Sequence, residues 1–489
     1  MVWSRDSLKQ LVEDKLRDYL FIVVSNREPY IHKFGPEGPY CIVPASGLTL
    51  ALDPVLRACG GTWIAHGSGE ADRAVVDENN RVMVPPEDPQ YSLRRIWLNK
   101  IEETGYYYGL SNEALWPLCH IVYIKPKFIE SDWQQYKKVN ALFAKTILEE
   151  VGNRKAFVFL QDYHLSLVPE MLRQANPEIK SAVFWHIPWP NPEAFRICPW
   201  KEEILRGMLG ADLLAFHINY HVDNFLTTVD RTLEVRVDKV ASSVVASGRE
   251  TLVKPFPISI DYERIALDSE SPATEAAAAK LKRELNIRDQ LIGIGTDRID
   301  YTKGIPERLK ALDIFFEDYP EYLGKFTFIQ AGVLSRIHIP EYKKINDEIN
   351  SLVEAINFKY ATDAWRPIIM VRRHFSQAEL IALYRMADIA LVTSLHDGMN
   401  LVAKEYVAAA RANKGVLVLS RFTGSARELT DALLINPYSP KEIAAAIKLG
   451  LTMPAEEKNR RLQKMKELIA ENNIYKWAGK ILQALLRLP

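Results

Sequence analysis

Short apolar runs alternate with longer amphipathic stretches along the first half of the chain. The runs are too short for most helices, are rich in β-branched and aromatic residues, and show no polar alternation. They lie at residues 21–25, 156–160, 182–185 and 213–216. We therefore predict strands that are buried on both faces. Between them, Val139, Leu142, Phe143 and Ile147 recur at helical spacing, as in a helix that covers a sheet.

The same alternation begins again in the second half of the chain. Further runs predict strands at residues 291–295, 326–330, 368–371, 389–393, 416–420 and 433–435. Residues 254–257 (KPFP) and 269–274 (SESPAT) interrupt regular structure, so we place a domain boundary near residue 255. We predict one domain over residues 1–254, led by an amphipathic helix that extends from Leu8 to Leu20, and another over 255–489. The charged segment 455–489 is predicted to be helical and to pack on either domain.

Strand–helix alternation of this kind predicts parallel βαβ units with helices on both faces of each sheet. The predicted fold class is α/β, with two Rossmann-like doubly wound domains that face each other across a cleft. Ligands of such folds bind outside the carboxyl ends of the strands. Side chains that directly follow strands are therefore the first candidates for a functional site.

Composition and charge exclude several classes of protein. The 489 residues are 48% hydrophobic and 25% charged, with 62 basic and 62 acidic residues, so neither a disordered chain nor a nucleic-acid partner is indicated. The sequence has no apolar run near the ~20 residues of a membrane helix, and residues 1–20 carry no signal-peptide core. Four scattered cysteines without a C-x-x-C pair favour a reduced, cytoplasmic compartment and argue against structural zinc. We expect no membrane partner, and the sequence leaves homo-oligomerisation open.

The most informative stretch follows the apolar run at 389–393. Residues 394–400 (SLHDGMN) form a predicted turn, after which residues 401–410 are helix-like. The backbone amides of Met399, Asn400 and Leu401 would open this helix, where the helix dipole favours an anion such as a diphosphate. Glu405 lies one turn further on and is placed to accept hydrogen bonds from a ribose. An ordinary capped helix with a surface glutamate fits the same pattern.

A second stretch, residues 294–308, offers two cations just after a predicted strand. Arg298 and Lys303 lie five residues apart, so they can converge on one polyanion. Their chemical use would be to neutralise a diphosphate as it leaves. Two solvated loop charges are the alternative interpretation. The spacing Gly293-x-Gly295 is not a dinucleotide fingerprint, because Arg298 stands at the third glycine position.

In the first half, three predicted strands are followed by polar side chains. Arg27 follows the first strand, Asp162 and His164 follow the strand at 156–160, and His186 follows the strand at 182–185. Taken singly, each is more often a turn former or a core group, but three at successive strand ends favour a site. Three aromatic residues are candidate stacking faces for a sugar ring, although aromatic residues at this frequency are more often part of a core: Tyr107, Trp116 and Trp63.

Taken together, these motifs resemble the trehalose-6-phosphate synthase family of retaining glycosyltransferases. The resemblance rests on five blocks: residues 397–405 (DGMNLVAKE), 298–304 (RIDYTKG), 112–117 (NEALWP), 162–164 (DYH) and 186–188 (HIP). It covers the chain from about Phe21 to the C-terminus in the same order. It implies the two-domain GT-B arrangement and an enzyme of trehalose biosynthesis, in which nucleotide-glucose is a substrate and no cofactor or metal is required.

The resemblance also implies a donor site in the second half of the chain. Arg298 and Lys303 would hold the donor diphosphate, Glu405 the ribose, and Asp397 and His186 the donor sugar. The Met399, Asn400 and Leu401 amides would approach the phosphates, and Gly47 belongs to a glycine loop that closes over donor and acceptor. The donor base, whether uridine, guanosine or adenosine, is not readable from these residues.

The acceptor site is implied in the same way. Arg27, Tyr107, Trp116 and Arg336 would bind the acceptor, largely through its phosphate, and Asp162 would bind an acceptor hydroxyl. The family retains the configuration of the sugar without an evident protein nucleophile. The usual proposal is same-face attack, in which the departing phosphate takes the acceptor proton.

Several positions depart from the family pattern. Ser46 replaces a glycine before Gly47, His66 stands at the place of an acceptor-side tryptophan, His396 replaces an arginine and Asp297 a glutamate. The expected reaction is glucosyl transfer to glucose 6-phosphate, giving trehalose 6-phosphate. Because these departures leave the predicted diphosphate residues in place but do not fix the acceptor, another phosphorylated acceptor such as glycerol 3-phosphate is an alternative. A non-catalytic sugar-phosphate sensor and an enzyme acting on a cyclitol are further alternatives.

Overall fold

The protein is described here by a computed structural model, which covers residues 3–44 and 47–488. Its chain divides into two compact units. The described residues up to Ile258 and those from Ile474 onward form the first unit, and Ser259–Asn473 form the second. The sequence predicts a boundary near residue 255 and does not assign the last segment to either unit.

The first unit is built on a ten-stranded sheet and a separate two-stranded hairpin. Its strands are β1 (Tyr19–Arg27), β2 (Ile31–Gly35), β3 (Gly38–Ile42), β4 (Thr62–His66), β5 (Arg81–Val84), β6 (Tyr91–Ile96), β7 (Lys155–Gln161), β8 (Lys180–Phe184), β9 (Leu213–Phe216), β10 (Arg236–Asp238), β11 (Ser243–Ala246) and β12 (Arg249–Pro255). The order in the large sheet is β10-β11-β12-β9-β8-β7-β1-β4-β6-β5, and β2 pairs only with β3. All neighbours from β12 to β6 are parallel, and antiparallel strands extend both edges.

Helices cover this sheet and fill the crossovers between its parallel strands. They are α1 (Arg5–Lys15), α2 (Gly47–Cys59), α3 (Lys100–Glu103), α4 (Trp116–His120), α5 (Glu130–Val151), α6 (Val168–Ala175), α7 (Pro192–Phe195), α8 (Lys201–Met208) and α9 (Asn219–Thr232). A π-helix over Thr104–Leu115 joins α3 to α4. In α1, Ser4 caps the helix: its hydroxyl accepts from the Ser7 amide, and the Ser7 hydroxyl accepts from the Ser4 amide.

The second unit holds a six-stranded sheet whose strands are all parallel. Its elements are α10 (Tyr262–Ser269), α11 (Pro272–Glu284), β13 (Leu291–Ile299), α12 (Ile305–Asp318), β14 (Phe326–Leu334), α13 (Pro340–Tyr360), β15 (Ile368–Arg372), α14 (Gln377–Met386), β16 (Ile389–Val392), α15 (Leu401–Ala409), β17 (Val416–Ser420), β18 (Leu433–Ile435), α16 (Pro440–Thr452) and α17 (Ala455–Glu471). After it, α18 (Ile474–Leu486) belongs to the first unit. There the Trp477 indole donates to the Phe256 carbonyl.

Burial on both faces explains why the strands lack polar alternation. Ile389 and Leu391 of β16 belong to the hydrophobic core on one face of the sheet, whereas Ala390 and Val392 belong to the core on the other face. Because successive side chains of a strand point to opposite faces, a strand between two helical layers must be apolar throughout. The predicted fold class, α/β with two Rossmann-like units, is confirmed.

Both sheets share one strand order, and this order locates their ligand-binding edges. In the second unit the order β15-β14-β13-β16-β17-β18 is the doubly wound order 3-2-1-4-5-6. The central strands of the first unit follow it too, as β6-β4-β1-β7-β8-β9. The direction of winding reverses between β13 and β16, and between β1 and β7. Ligands of such sheets bind at these switch points, outside the carboxyl ends of the strands.

The structure differs from the sequence predictions in the length of the leading helix and in the number of strands. The leading helix ends at Lys15, so Tyr19 and Leu20 begin β1 instead of ending a helix. Strands β4, β5, β6, β10, β11 and β12 were not predicted, and neither was the β2–β3 hairpin in the segment after β1. The described residues contain no helix that is both long and apolar enough to cross a membrane.

Candidate active site

The switch point of the second unit brings together the turns that follow β13 and β16. The Leu395 amide donates to the Thr302 carbonyl at 2.8 Å, and the Thr393 hydroxyl donates to the Gly304 carbonyl at 2.9 Å. Gly304 has φ +61°, and a Cβ atom there would lie 2.1 Å from the Thr393 carbonyl oxygen. Only glycine permits this contact. The turn that carries Lys303 is therefore held against the turn that carries Asp397.

Asp397 lies at the centre of the polar contacts between these turns. Its Oδ2 accepts from Lys303 Nζ at 2.5 Å, from the Ser394 hydroxyl at 3.2 Å and from Asn400 Nδ2 at 3.2 Å. The Lys303 and Asp397 side chains are only 14% and 16% exposed. A pair shielded to this degree is screened less by salt than a surface pair. The predicted Lys303 and Asp397 are thus brought into direct contact.

Helix α15 begins at this point and directs its N-terminus toward the same turn. Asn400 caps the helix with φ +78°, and its Oδ1 accepts from the Ala403 amide at 3.2 Å. Met399 is buried just before the cap, and Leu401 is the first helical residue. The first amides of a helix have no partner within the helix, so the Leu401 end of α15 is suited to an anion. The strand–turn–helix predicted from the sequence is present.

Arg298 lies near the end of β13, beside a buried carboxylate. Asp300 is fully buried, and its Oδ1 accepts from the Thr302 amide at 3.0 Å. Burial alone would raise the pKa of Asp300, but the charges of Arg336, Arg298 and Lys303 outweigh it and lower the pKa. Asp300 is therefore an anion that gathers three cations around the end of β13.

Arg336, predicted to bind the acceptor phosphate, is placed in the second unit by β14. Its Nη1 donates to the Tyr342 hydroxyl at 2.5 Å and lies 3.6 Å from Asp300 Oδ2. Its backbone has φ +50°, which is uncommon for a residue with a side chain. Positive φ outside glycine recurs at functional sites.

Glu405, the predicted ribose ligand, follows the N-terminus of α15 by one turn and is half-buried. Its Oε2 accepts from the Tyr384 hydroxyl at 3.0 Å. Burial raises the pKa of Glu405, and the hydrogen bond from Tyr384 opposes this rise. Sequence analysis did not find Tyr384, because its place in α14 resembles an ordinary core position.

Arg308 is a second residue that sequence analysis missed. It is fully buried, and its guanidinium donates to Asp297 Oδ2 at 2.7 Å, to Gln330 Oε1 at 2.7 Å and to the Thr393 hydroxyl at 3.0 Å. A Cβ atom on Gly295 would lie 2.2 Å from this guanidinium. Arg308 thus links β13 and β14 to Thr393 at the end of β16, which in turn contacts the turn that carries Lys303.

In the first unit, Arg27 ends β1 and His66 ends β4, and the two residues are register partners. Arg27 Nη2 donates to the Tyr107 hydroxyl at 3.1 Å. The Tyr107 ring stacks on His164, with centroids 5.8 Å apart and planes at 14°. Burial lowers the pKa of His66 to about 4, so this imidazole is neutral at physiological pH. The structure therefore brings Arg27, His66 and Tyr107 together.

Asp162 and His186 meet at the ends of the neighbouring strands β7 and β8. Asp162 has φ +71°, and its Oδ1 accepts from the His186 amide at 3.0 Å. His186 Nε2 lies 2.9 Å from Gln161 Oε1, which accepts from it if this nitrogen is protonated. Burial lowers the pKa of His186 to about 3. His186 is thus a neutral hydrogen-bonding group and carries no charge near neutral pH.

The π-helix carries Tyr107 and leads into Trp116. Asn112 links it to the turn after β7: its Nδ2 donates to the Tyr107 carbonyl at 2.7 Å, and its Oδ1 accepts from the Tyr163 hydroxyl at 2.9 Å. Trp116 is 6% exposed and packs against Tyr163, with ring centroids 6.0 Å apart. Trp63 is fully buried and donates to Ser25 Oγ, so the interpretation of Trp63 as a sugar-stacking face is wrong.

The remaining predicted residues divide between the units as follows. Gly47 is exposed and begins α2, and the Ser46 departure lies outside the described residues. Gly47 and His186, which are predicted to bind the donor, belong to the first unit. Arg336, which is predicted to bind the acceptor, belongs to the second. In the part of the chain that the structure describes, no group of three or more His, Cys, Asp or Glu side chains could hold a metal ion.

Doubly wound units with a helix N-terminus at the switch point of the sheet are typical of proteins that bind nucleotides. A model of glycosyltransferase family 20 matches residues 19–487. The chain is 34% identical over 472 residues to the UDP-forming α,α-trehalose-phosphate synthase of Botryotinia fuckeliana, covering 96% of this chain and 88% of the relative. It is 37% identical to a trehalose-6-phosphate synthase of Mycobacterium sp. (strain KMS), covering 95% of this chain and 94% of the relative.

Solved structures give the same result. An E. coli structure bound with UDP-2-fluoro glucose matches with a TM-score of 0.85 at 33% identity, covering 96% of this chain and 99% of that one. A UDP-forming synthase of Burkholderia xenovorans in complex with glucose-6-phosphate matches with a TM-score of 0.85 at 29% identity, covering 95% and 99%. The class is thus that of the glycosyltransferases. The chain belongs to glycosyltransferase family 20, the trehalose-6-phosphate synthase family.

Proposed function

We propose that this enzyme is a retaining glucosyltransferase that transfers glucose from UDP-glucose to glucose 6-phosphate, giving trehalose 6-phosphate. The observation that carries the proposal is the convergence of Lys303, Asp397 and the N-terminus of α15 at the switch point of the second unit. The E. coli and B. xenovorans structures, with their uridine-containing sugar analogue and sugar phosphate, support the choice of substrates.

The second unit supplies the electrostatics that a leaving diphosphate needs. Arg298 and Lys303 offer positive charge, and the amides around Met399, Asn400 and Leu401 offer hydrogen bonds along the dipole of α15. These groups are held by the backbone and by Asp300 and Arg308 before any ligand arrives, so little reorganisation is required during the reaction. Charge that develops on the diphosphate is therefore stabilised as the bond to glucose breaks.

The donor sugar is oriented by hydrogen bonds from Asp397 and His186. Lys303 keeps Asp397 close to a positive charge, which favours a carboxylate that accepts hydrogen bonds from sugar hydroxyls. When His186 Nε2 donates to Gln161, Nδ1 is left as an acceptor. A neutral imidazole of this kind positions a hydroxyl group and does not serve as an acid.

Retention follows if both bonds change on one face of the sugar. The bond between glucose C1 and the diphosphate oxygen breaks, and a bond forms between C1 and the acceptor hydroxyl oxygen. The acceptor proton passes to the departing phosphate oxygen, so no protein nucleophile is required. The three donors around Asp397 Oδ2 support this route, because they reduce the nucleophilicity of that carboxylate.

The phosphate of the acceptor is proposed to bind to Arg27, Tyr107 and Arg336. Trp116 would pack against the acceptor, and Asp162 would accept a hydrogen bond from one of its hydroxyl groups. His66 is the observation that favours a second candidate acceptor. It is half-buried, neutral and the register partner of Arg27. An imidazole in place of an indole offers less apolar surface and one more polar atom, which suits a smaller polyol phosphate such as glycerol 3-phosphate.

One experiment tests these candidates together. The purified protein is incubated with UDP-, GDP- or ADP-glucose against glucose 6-phosphate, glycerol 3-phosphate and a phosphate-free cyclitol, and the products are identified by mass and anomeric configuration by NMR. We expect trehalose 6-phosphate with the α,α configuration, formed fastest from UDP-glucose. A glycerol product would assign the alternative acceptor. Donor binding without any product would replace the enzyme proposal with a sensor.

A further inference from the structure

A chain of hydroxyl groups leads from β13 to the carboxylate of Glu405. The Thr296 hydroxyl donates to the Tyr384 hydroxyl at 3.3 Å, and the Tyr384 hydroxyl donates to Glu405 Oε2 at 3.0 Å. Thr296 lies on β13 and Tyr384 on α14, and both are buried. This hydrogen-bonded chain links three elements of the second unit, β13, α14 and α15, and ends on one carboxylate oxygen at the edge of the predicted nucleotide site.

The direction of these hydrogen bonds follows from the chemistry of the groups. Burial raises the pKa of Tyr384 well above its usual value, so the phenol keeps its proton. Because Tyr384 accepts from Thr296, its single proton is available to Glu405. A tyrosine hydroxyl that donates to a carboxylate favours the ionised form, whereas burial of Glu405 opposes it. Tyr384 therefore engages Oε2 and leaves the acceptor capacity of Oε1 for a ligand.

We propose that Tyr384 is a positioning residue for nucleotide recognition: its hydroxyl fixes the Glu405 carboxylate in the orientation that receives the ribose hydroxyls of the donor. This inference rests on the proposed function, because it takes the Glu405 side chain as the ribose ligand. Tyr384 does not itself touch the ligand. Its contribution is to restrict the rotation of a carboxylate that has to accept hydrogen bonds from two adjacent hydroxyl groups.

A purely structural role for Tyr384 is the competing explanation, and the neighbouring Tyr406 provides a matched control. Tyr406 is also buried, and the two rings pack edge to face with centroids 6.4 Å apart. Its hydroxyl lies toward the Gly415 backbone, away from the nucleotide edge of α15. Tyr384→Phe and Tyr406→Phe therefore remove the same atom from the same core, but only the first removes a hydrogen bond to Glu405.

The test measures dissociation constants of two ligands by calorimetry: UDP and 2′,3′-dideoxy-UDP, which lacks both ribose hydroxyls. We expect Tyr384→Phe to weaken UDP binding about tenfold, the effect of one hydrogen bond to a charged group, and to leave dideoxy-UDP binding unchanged. Tyr406→Phe should change neither value. In a Glu405→Ala background, which has no side-chain acceptor for the Tyr384 hydroxyl, Tyr384→Phe should have no further effect on UDP.

Equal weakening of both ligands by Tyr384→Phe would overturn the inference, because it would show a general structural effect. An unchanged UDP affinity in that variant would overturn it as well. Failure of the underlying function gives a different pattern: the unmodified protein would bind UDP and dideoxy-UDP equally, or bind neither. In that case the ribose assignment of Glu405 is wrong, whatever the behaviour of Tyr384.

Discussion

The substitution Lys303→Met isolates one charge at the switch point of the second unit. It removes the ammonium group and keeps an unbranched stem of similar length. In the structure this ammonium lies 2.5 Å from Asp397 Oδ2, and both side chains are largely shielded from solvent. The Ser394 hydroxyl and Asn400 Nδ2 remain on the same oxygen, so Asp397 is not left without donors.

The expected effects on stability and on catalysis differ in size. Loss of one of three hydrogen-bond donors to Asp397 should lower the free energy of unfolding by about 1–2 kcal/mol. Loss of a preorganised positive charge at the leaving diphosphate should raise the activation free energy by about 3 kcal/mol, which is roughly a hundredfold in kcat/KM. The variant should therefore lose far more of its kcat/KM than of its free energy of unfolding.

The assay is the initial rate of UDP release at fixed ionic strength, with urea unfolding of the same samples. Lys310→Met is the matched control, because Lys310 lies seven residues further on, is exposed on α12 and pairs at 3.0 Å with Glu348 on α13. The control should keep the activity of the unmodified enzyme. A kcat/KM within threefold of the unmodified enzyme in folded Lys303→Met protein would refute the assigned role of this charge.

Three further predictions concern buried groups. Glu28 and Asp72 both contact the guanidinium group of the buried Arg95. Burial raises the pKa of Glu28 to about 8, so near neutral pH the folded state keeps a proton on Glu28 that the unfolded state loses. The free energy of unfolding should therefore decrease from about pH 4.5 to 8, and Glu28→Gln should reduce this slope in urea titrations. His186, with its pKa near 3, should show no imidazole titration by 15N NMR between pH 5 and 8. Asn400→Gly should cost only about 0.3 kcal/mol in urea unfolding through the lost cap on the Ala403 amide, and Asn400→Ala should cost about 1 kcal/mol or more because alanine also tolerates φ +78° poorly.

Sequence patterns predicted the strands that are apolar throughout and missed those that carry polar groups. Strand β6 was missed because its apolar residues are interrupted by Arg94 and Arg95. Arg95 is fully buried, its charge is compensated by Asp72, and its Nε donates to Glu28 at 2.7 Å; both partners lie far away in sequence. No local pattern indicates such a partnership. The leading helix was extended too far because Tyr19 and Leu20 continue a helical spacing that β1 interrupts.

The candidate site was predictable where its residues follow strands or open a helix. Lys303, Asp397 and Asn400 were found because the turn after a parallel strand is where such sheets bind ligands. Tyr384 and Arg308 were not found, since each contacts the candidate site through a residue that only the folded chain brings near. The π-helix that carries Tyr107 was also beyond prediction, because apolar spacing is read with the period of an α-helix.

In the proposed reaction, the second unit holds the diphosphate of a nucleotide sugar at the turn joining β16 to α15. A crystal structure of the enzyme with UDP tests it most directly. We predict the β-phosphate within about 3 Å of Lys303 Nζ and of a backbone amide near Leu401, with the ribose at Glu405. Diphosphate density at any other place, with Lys303 and Arg298 directed away from it, would contradict the account.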